Sequence, residues 1–145
     1  MNNLIILFSL VCVTVHLSCE KEEGCLDTDA DNYNSNAEID DKSCTFSGKT
    51  VLWFDEATSD SLQNAGVTIL TFYIDDEIEG GNDVADFQTF VPECTDDVSF
   101  THKKSFGTAK TGLVSYRVNN QYGEDLWTGT IELEANSCKS VELNF

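Results

Sequence analysis

From Val114 to the end, the chain alternates. Val114, Tyr116 and Val118 fall on one side of an extended backbone, with Ser115 and Arg117 on the other. Trp127, Ile131 and Leu133 share a face opposite Thr128, Thr130 and Glu132. Val141, Leu143 and Phe145 oppose Glu142 and Asn144. Period two with one apolar face is the pattern of a half-buried antiparallel strand. Upstream, Val51–Phe54 is a short apolar run. Val67–Ile74 is longer and rich in Val, Thr, Ile, Phe and Tyr, which suits a strand covered on both sides. Phe87–Val91 and Val98–Thr101 add two weaker strands, and Trp53 and Trp127 are expected as core plugs. Turn signals fall at Gly80-Gly81-Asn82-Asp83, at Asn119-Asn120 with Gly123, and at Asn136-Ser137.

About seven short strands separated by turns imply an all-β domain over residues 47–145. The expected form is a small antiparallel β-sandwich, immunoglobulin-like or transthyretin-like. The chain has 145 residues, which leaves room for little else beyond a leader. With 41% hydrophobic and 10% aromatic residues it can bury a core in spite of its charge. That charge is -18, from 26 acidic against 8 basic residues. Such a field repels a phosphate backbone, so nucleic acid is not an expected partner.

Leu4 to Val15 carry no charge and are almost all apolar. The run has the length of a signal-peptide core and falls short of the roughly 20 residues a membrane span needs. It leads into His16-Leu17-Ser18-Cys19. A small residue before a cysteine at this place resembles a bacterial lipoprotein signal peptide. The resemblance implies that residues 1–18 are removed and that Cys19 is lipidated and becomes the N-terminus. His16 and Leu17 depart from the usual pattern. Several acyl chains together hold a protein on a membrane stably. Residues 19–23 then form an acidic tether, in which Lys21-Glu22-Glu23 resembles the export signal of surface lipoproteins from one phylum of Gram-negative bacteria. That resemblance implies an outer-membrane protein facing outward; a plain solvated spacer is the competing reading.

Of the six cysteines, Cys12 leaves with the leader and Cys19 takes the lipid. Cys25, Cys44, Cys94 and Cys138 remain, an even number that in an exported chain reads as disulfides with three possible connectivities. The spacing suggests Cys25 with Cys44 and Cys94 with Cys138. A zinc site is disfavoured, because no Cys-x-x-Cys pair exists and His102 is the only histidine after the leader.

Residues 24–46 form a separate small module. Gly24, Cys25, Asp27, Ala30, Asn32, Tyr33, Asn34, Ala37, Asp40, Asp41, Ser43 and Cys44 match a short repeat of secreted and surface proteins in the same phylum. Lys42 stands where that repeat has Gly. The resemblance implies a spacer or surface module without a reaction of its own. Inside it, Asp27, Asp29, Asp31, Ser35 and Glu38 occupy positions 1, 3, 5, 9 and 12 of a calcium loop. Alternating oxygen ligands can wrap a hard cation, so calcium is a candidate ligand. Asn32 at position 6 and Asn34 at position 8 depart from that pattern, and an acidic solvated loop closed by a disulfide stands beside it.

Catalytic signals are few. His102 lies in Thr-His-Lys-Lys-Ser, a polar stretch expected at a hairpin tip, and no Gly-x-Ser-x-Gly elbow is present. Asp60-Ser61-Leu62 resembles a short O-glycosylation acceptor, with a plain loop as the simpler reading. The function expected is therefore a non-catalytic binding or structural module on a membrane lipoprotein, with an extracellular protein or glycan as partner. The alternative is a small periplasm-facing hydrolase or inhibitor using His102 or a carboxylate pair.

Overall fold

The computed structural model describes residues 21–96 and 100–145. The leader, Cys19 and Val98 lie outside the described residues. Two sheets form the body. Strands β3 (Phe46–Trp53), β6 (Phe100–Gly107) and β9 (Cys138–Glu142) make one, in the order β6-β3-β9. Strands β4 (Ile69–Ile74), β5 (Glu77–Asp83), β7 (Thr111–Asn120) and β8 (Asp125–Glu134) make the other, in the order β5-β4-β7-β8. The result is an all-β, sandwich-like fold with seven strands in its two sheets.

Its core comes from the alternation. Leu70, Phe72 and Ile74 of β4, Val114 and Val118 of β7, and Ile131 and Leu133 of β8 all point between the sheets and are nearly or fully buried. Leu52 of β3 and Leu143 meet them from the other side. Phe72 stacks on Phe100 across the two sheets, with centroids 4.9 Å apart. Trp53 is a buried plug as expected, while Trp127 is only half-buried and donates its indole N–H to the Asn144 carbonyl.

Several expectations are corrected. β3 and β9 run parallel, so the three-stranded sheet is mixed while every other pair of the sandwich is antiparallel. β4 is covered on one face only: Ile69 is exposed, and Thr71 and Tyr73 are half-buried. The Gly80-Gly81 pair lies inside β5 and not in a turn. A Cβ on Gly81 would come within 2.9 Å of the Leu70 carbonyl oxygen, so the glycine lets the strands approach. The turn sits instead at Asp75-Asp76, both at positive φ, which suits the twist of a two-residue hairpin. Phe87–Val91 is irregular. Phe145 is half exposed and packs edge-on against Trp127.

Glu56–Asn64 forms a helix, α1, which takes in Asp60-Ser61-Leu62, expected in a loop. Asp55 caps it by accepting from the Thr58 N–H. Gly66 at positive φ follows its end, as helix termini favour. Leu62 is fully buried and the Ser61 hydroxyl donates back to the Ala57 carbonyl, so Asp60-Ser61-Leu62 is helical and partly inside the fold.

Before the sandwich lies the small module. β1 (Glu23–Gly24) and β2 (Ile39–Asp40) form a short parallel ladder. Lys21, Glu22 and Glu23, expected in a tether, therefore belong to the module: Glu22 accepts from the Asn34 side chain, and Lys21 faces Glu38 at 3.6 Å.

Candidate functional site

The two disulfides join Cys25 to Cys44 and Cys94 to Cys138. Each fixes a segment that does not belong to the sandwich ladder. The first closes the small module. The second ties the irregular segment after β5 to β9, where the Ser140 hydroxyl also donates to the Pro92 carbonyl.

The module is docked at the start of β3 by its acidic loop. The Asp31 N–H donates to the Thr45 carbonyl, and the Asn32 amide bridges Ser43 and Thr45. The Asp31 carboxylate accepts from the Ser47 hydroxyl at 2.7 Å and from Lys103 of β6 at 3.2 Å. Those bonds hold its pKa below the usual carboxylate value, the Ser47 hydroxyl contributing most. Asp27 is held down chiefly by Lys110, which also faces Asp29 at 3.7 Å; Lys110 is raised by the same pairing. The Lys110 ammonium lies 5.4 Å from the Phe46 ring centroid as well.

The four carboxylates of the expected calcium loop are thus dispersed. Asp27 and Asp29 face Lys110, Asp31 faces Lys103, and Glu38 faces Lys21. Among the described residues no three His, Cys, Asp or Glu side chains are gathered as a metal site. In this arrangement the loop is a clasp between module and sandwich, its carboxylates paired with three separate lysines.

His102 lies within β6 and not at a hairpin tip; it pairs in register with Thr50. Its Nδ1 is 3.6 Å from Glu79 of β5, and Lys104 two positions on bridges to Asp75. These pairs span the open side of the sandwich between the edges of the two sheets. The Thr50 hydroxyl, on the same face as His102, donates to the Lys139 carbonyl. The structure brings no free hydroxyl to the imidazole among the described residues.

A groove of about 550 Å³ crosses the outer face of the three-stranded sheet. Asp31 of the module stands at one wall, and Glu93, Cys94 and Thr95 stand at the other. The floor is one row across the strands: Lys103 of β6, Lys49 of β3 and Cys138 of β9 are register partners. Both walls are therefore fastened by disulfides, one closing the module and one tying the Cys94 segment to the floor. No protein family, curated protein or solved structure matches the chain. The groove was not legible in the sequence, because it needs the pairing of β3 with β6 and β9. The one signal pointing near it was the Cys94–Cys138 spacing.

Two disulfides also bear on the compartment. Such bonds form and persist in oxidising surroundings, so the chain has the chemistry of an exported protein. No helix among the described residues is long and apolar enough to cross a membrane.

Proposed function

We propose that the protein is a lipid-anchored, surface-facing binding module of the bacterial outer membrane, without catalysis. The observation that carries the binding role is the groove with two disulfide-fastened walls on the outer face of β6-β3-β9. Recognition surfaces are commonly loops held by a rigid scaffold, because preorganised walls lose little entropy on contact. Anchoring is supported by the sequence: Ser18-Cys19 after an uncharged apolar run, then Lys21-Glu22-Glu23. The lipid would hold the protein on its membrane and leave the groove to an extracellular protein or glycan. His102 supports this reading over the hydrolase alternative, since it is engaged with Glu79 at a sheet edge and away from the groove lining.

Anchoring is tested by feeding the bacterium an alkyne-bearing fatty acid and comparing the wild type with Cys19→Ala. Label on the wild type alone is the expected result. Label on neither, with both proteins released in soluble form, would overturn the anchor.

A further inference from the structure

We propose that the groove takes a carboxylate on a hydroxylated ligand, the chemistry of an acidic sugar, with Lys49 as the residue that receives the charge. This deepens the binding-module reading and rests on it, but not on the lipid anchor.

Lys49 and Lys103 are directly opposed on neighbouring strands. Like charges so placed repel and destabilise a sheet unless something sits between or beside them. Asp31 relieves Lys103 at 3.2 Å. Lys49 has no carboxylate within 4 Å among the described residues. Most of the other cations are spent: Lys21, Lys104, Lys110 and Arg117 all face acids. Among the described residues Lys42 and Lys139 likewise face no acid, but of the three only Lys49 lies in the groove. At ordinary ionic strength the distant acids are screened beyond about 10 Å, so an entering anion responds mainly to the groove's own charges.

The walls narrow the ligand further. Glu93, Thr95 and Asn136 line the groove, and their side chains make no hydrogen bond as donors or acceptors among the described residues, apart from contacts of their backbones. Together they offer acceptors and donors suited to hydroxyl groups. Glu93 also disfavours a dianion. Among the described lining residues Lys49 and Lys103 match Asp31 and Glu93 in number, so a monoanion brings one excess negative charge and inorganic phosphate brings more. Among the described residues no aromatic side chain lines this groove, so recognition there is by hydrogen bonds and charge without ring stacking.

The test is a titration of the isotopically labelled full chain, followed by amide resonances. Glucuronate is the probe, with glucose and inorganic phosphate as comparisons. Glucuronate is expected to shift amides of Lys49, Lys103, Cys138 and Ser140 together, more strongly than either comparison. Lys49→Met should weaken it about tenfold, the order expected for loss of one charge-assisted hydrogen bond. Lys49→Arg should retain most of the binding, and Lys139→Met, outside the groove, should change nothing. The amide spectrum of each variant reports its fold in the same experiment. Shifts scattered over the surface, equal response to phosphate, no response to glucuronate, or unchanged affinity in Lys49→Met would each overturn the assignment. Failure here leaves the fatty-acid labelling result untouched, so the ligand and the anchor fail separately.

Discussion

Removing the Cys94–Cys138 bond should cost the protein a large part of its stability. The two cysteines are 44 positions apart and span β6, β7 and β8. In the chain-entropy model, closing a loop of that length restricts the unfolded chain by about 4 kcal/mol at 25 °C. Replacing both residues with Ala removes the packing of one small side chain, because Cys138 is exposed and only Cys94, at the groove wall, is buried. The loop constraint thus dominates the expected loss. For a domain of this size about 4 kcal/mol corresponds to a melting temperature lower by about 15 °C. Urea unfolding of Cys94→Ala/Cys138→Ala against wild type, both oxidised, measures it directly. Other tethers survive the change: the Ser140 hydroxyl to Pro92, and the Gln88 N–H to the Phe54 carbonyl. A loss below about 1 kcal/mol would refute the reasoning, since constraint of the unfolded chain by the disulfide would then be a minor term.

Three further outcomes follow from the packing and the clasp. Asp27, Asp31 and Asp75 all have folded pKa values below the ordinary 3.8, held there first by Lys110, Ser47 and Lys104 respectively. Lowered folded values mean that the unfolded chain takes up protons first. Their contribution is full above that ordinary value and lost as the pH falls through the folded ones, so the urea midpoint should drop between about pH 5 and pH 2, less steeply in Asp31→Asn. Gly48→Ala should destabilise by about 1–3 kcal/mol, because the new Cβ would meet backbone, the Glu134 carbonyl oxygen, at 2.7 Å; a melting curve like the wild type's would contradict that. Millimolar calcium should leave the melting temperature where a chelator leaves it, because Lys110, Lys103 and Lys21 already face the four carboxylates; a rise would mean that the loop rearranges to take the cation.

What the sequence made legible follows from how local each signal was. Strands β7 and β8 were plain because one face is buried and the other wet, so period two is written in every residue from Val114 to Val118 and from Trp127 to Leu133. Helix α1 was hidden because its buried face is mostly polar: Thr58 and Ser59 accompany Leu62, and the Ser59 hydroxyl is satisfied by the Val84 carbonyl. Its end signal, Gly66, was there to be read. β5 was missed because Gly80 and Gly81 look like a turn, whereas both lie in the strand and Gly81 serves the close pairing with β4. The acidic loop shows the deeper limit. Its alternating aspartates gave a ligand pattern, but their partners Lys103 and Lys110 come from β6 and the turn after it, more than 70 positions away in the case of Lys103. Spacing within a loop says which atoms are available. It does not say which cation the fold brings to them. The groove floor has the same origin, since Lys49 and Lys103 meet only through strand pairing.

The proposed function places this domain on the outer face of the cell. Intact cells treated with a membrane-impermeant amine reagent test it, with the protein then captured and its lysines mapped. Lys42 and Lys139 are exposed and should react in intact cells as fully as in lysed ones. Labelling of both only after the outer membrane is broken would contradict the claim and place the domain inside the envelope.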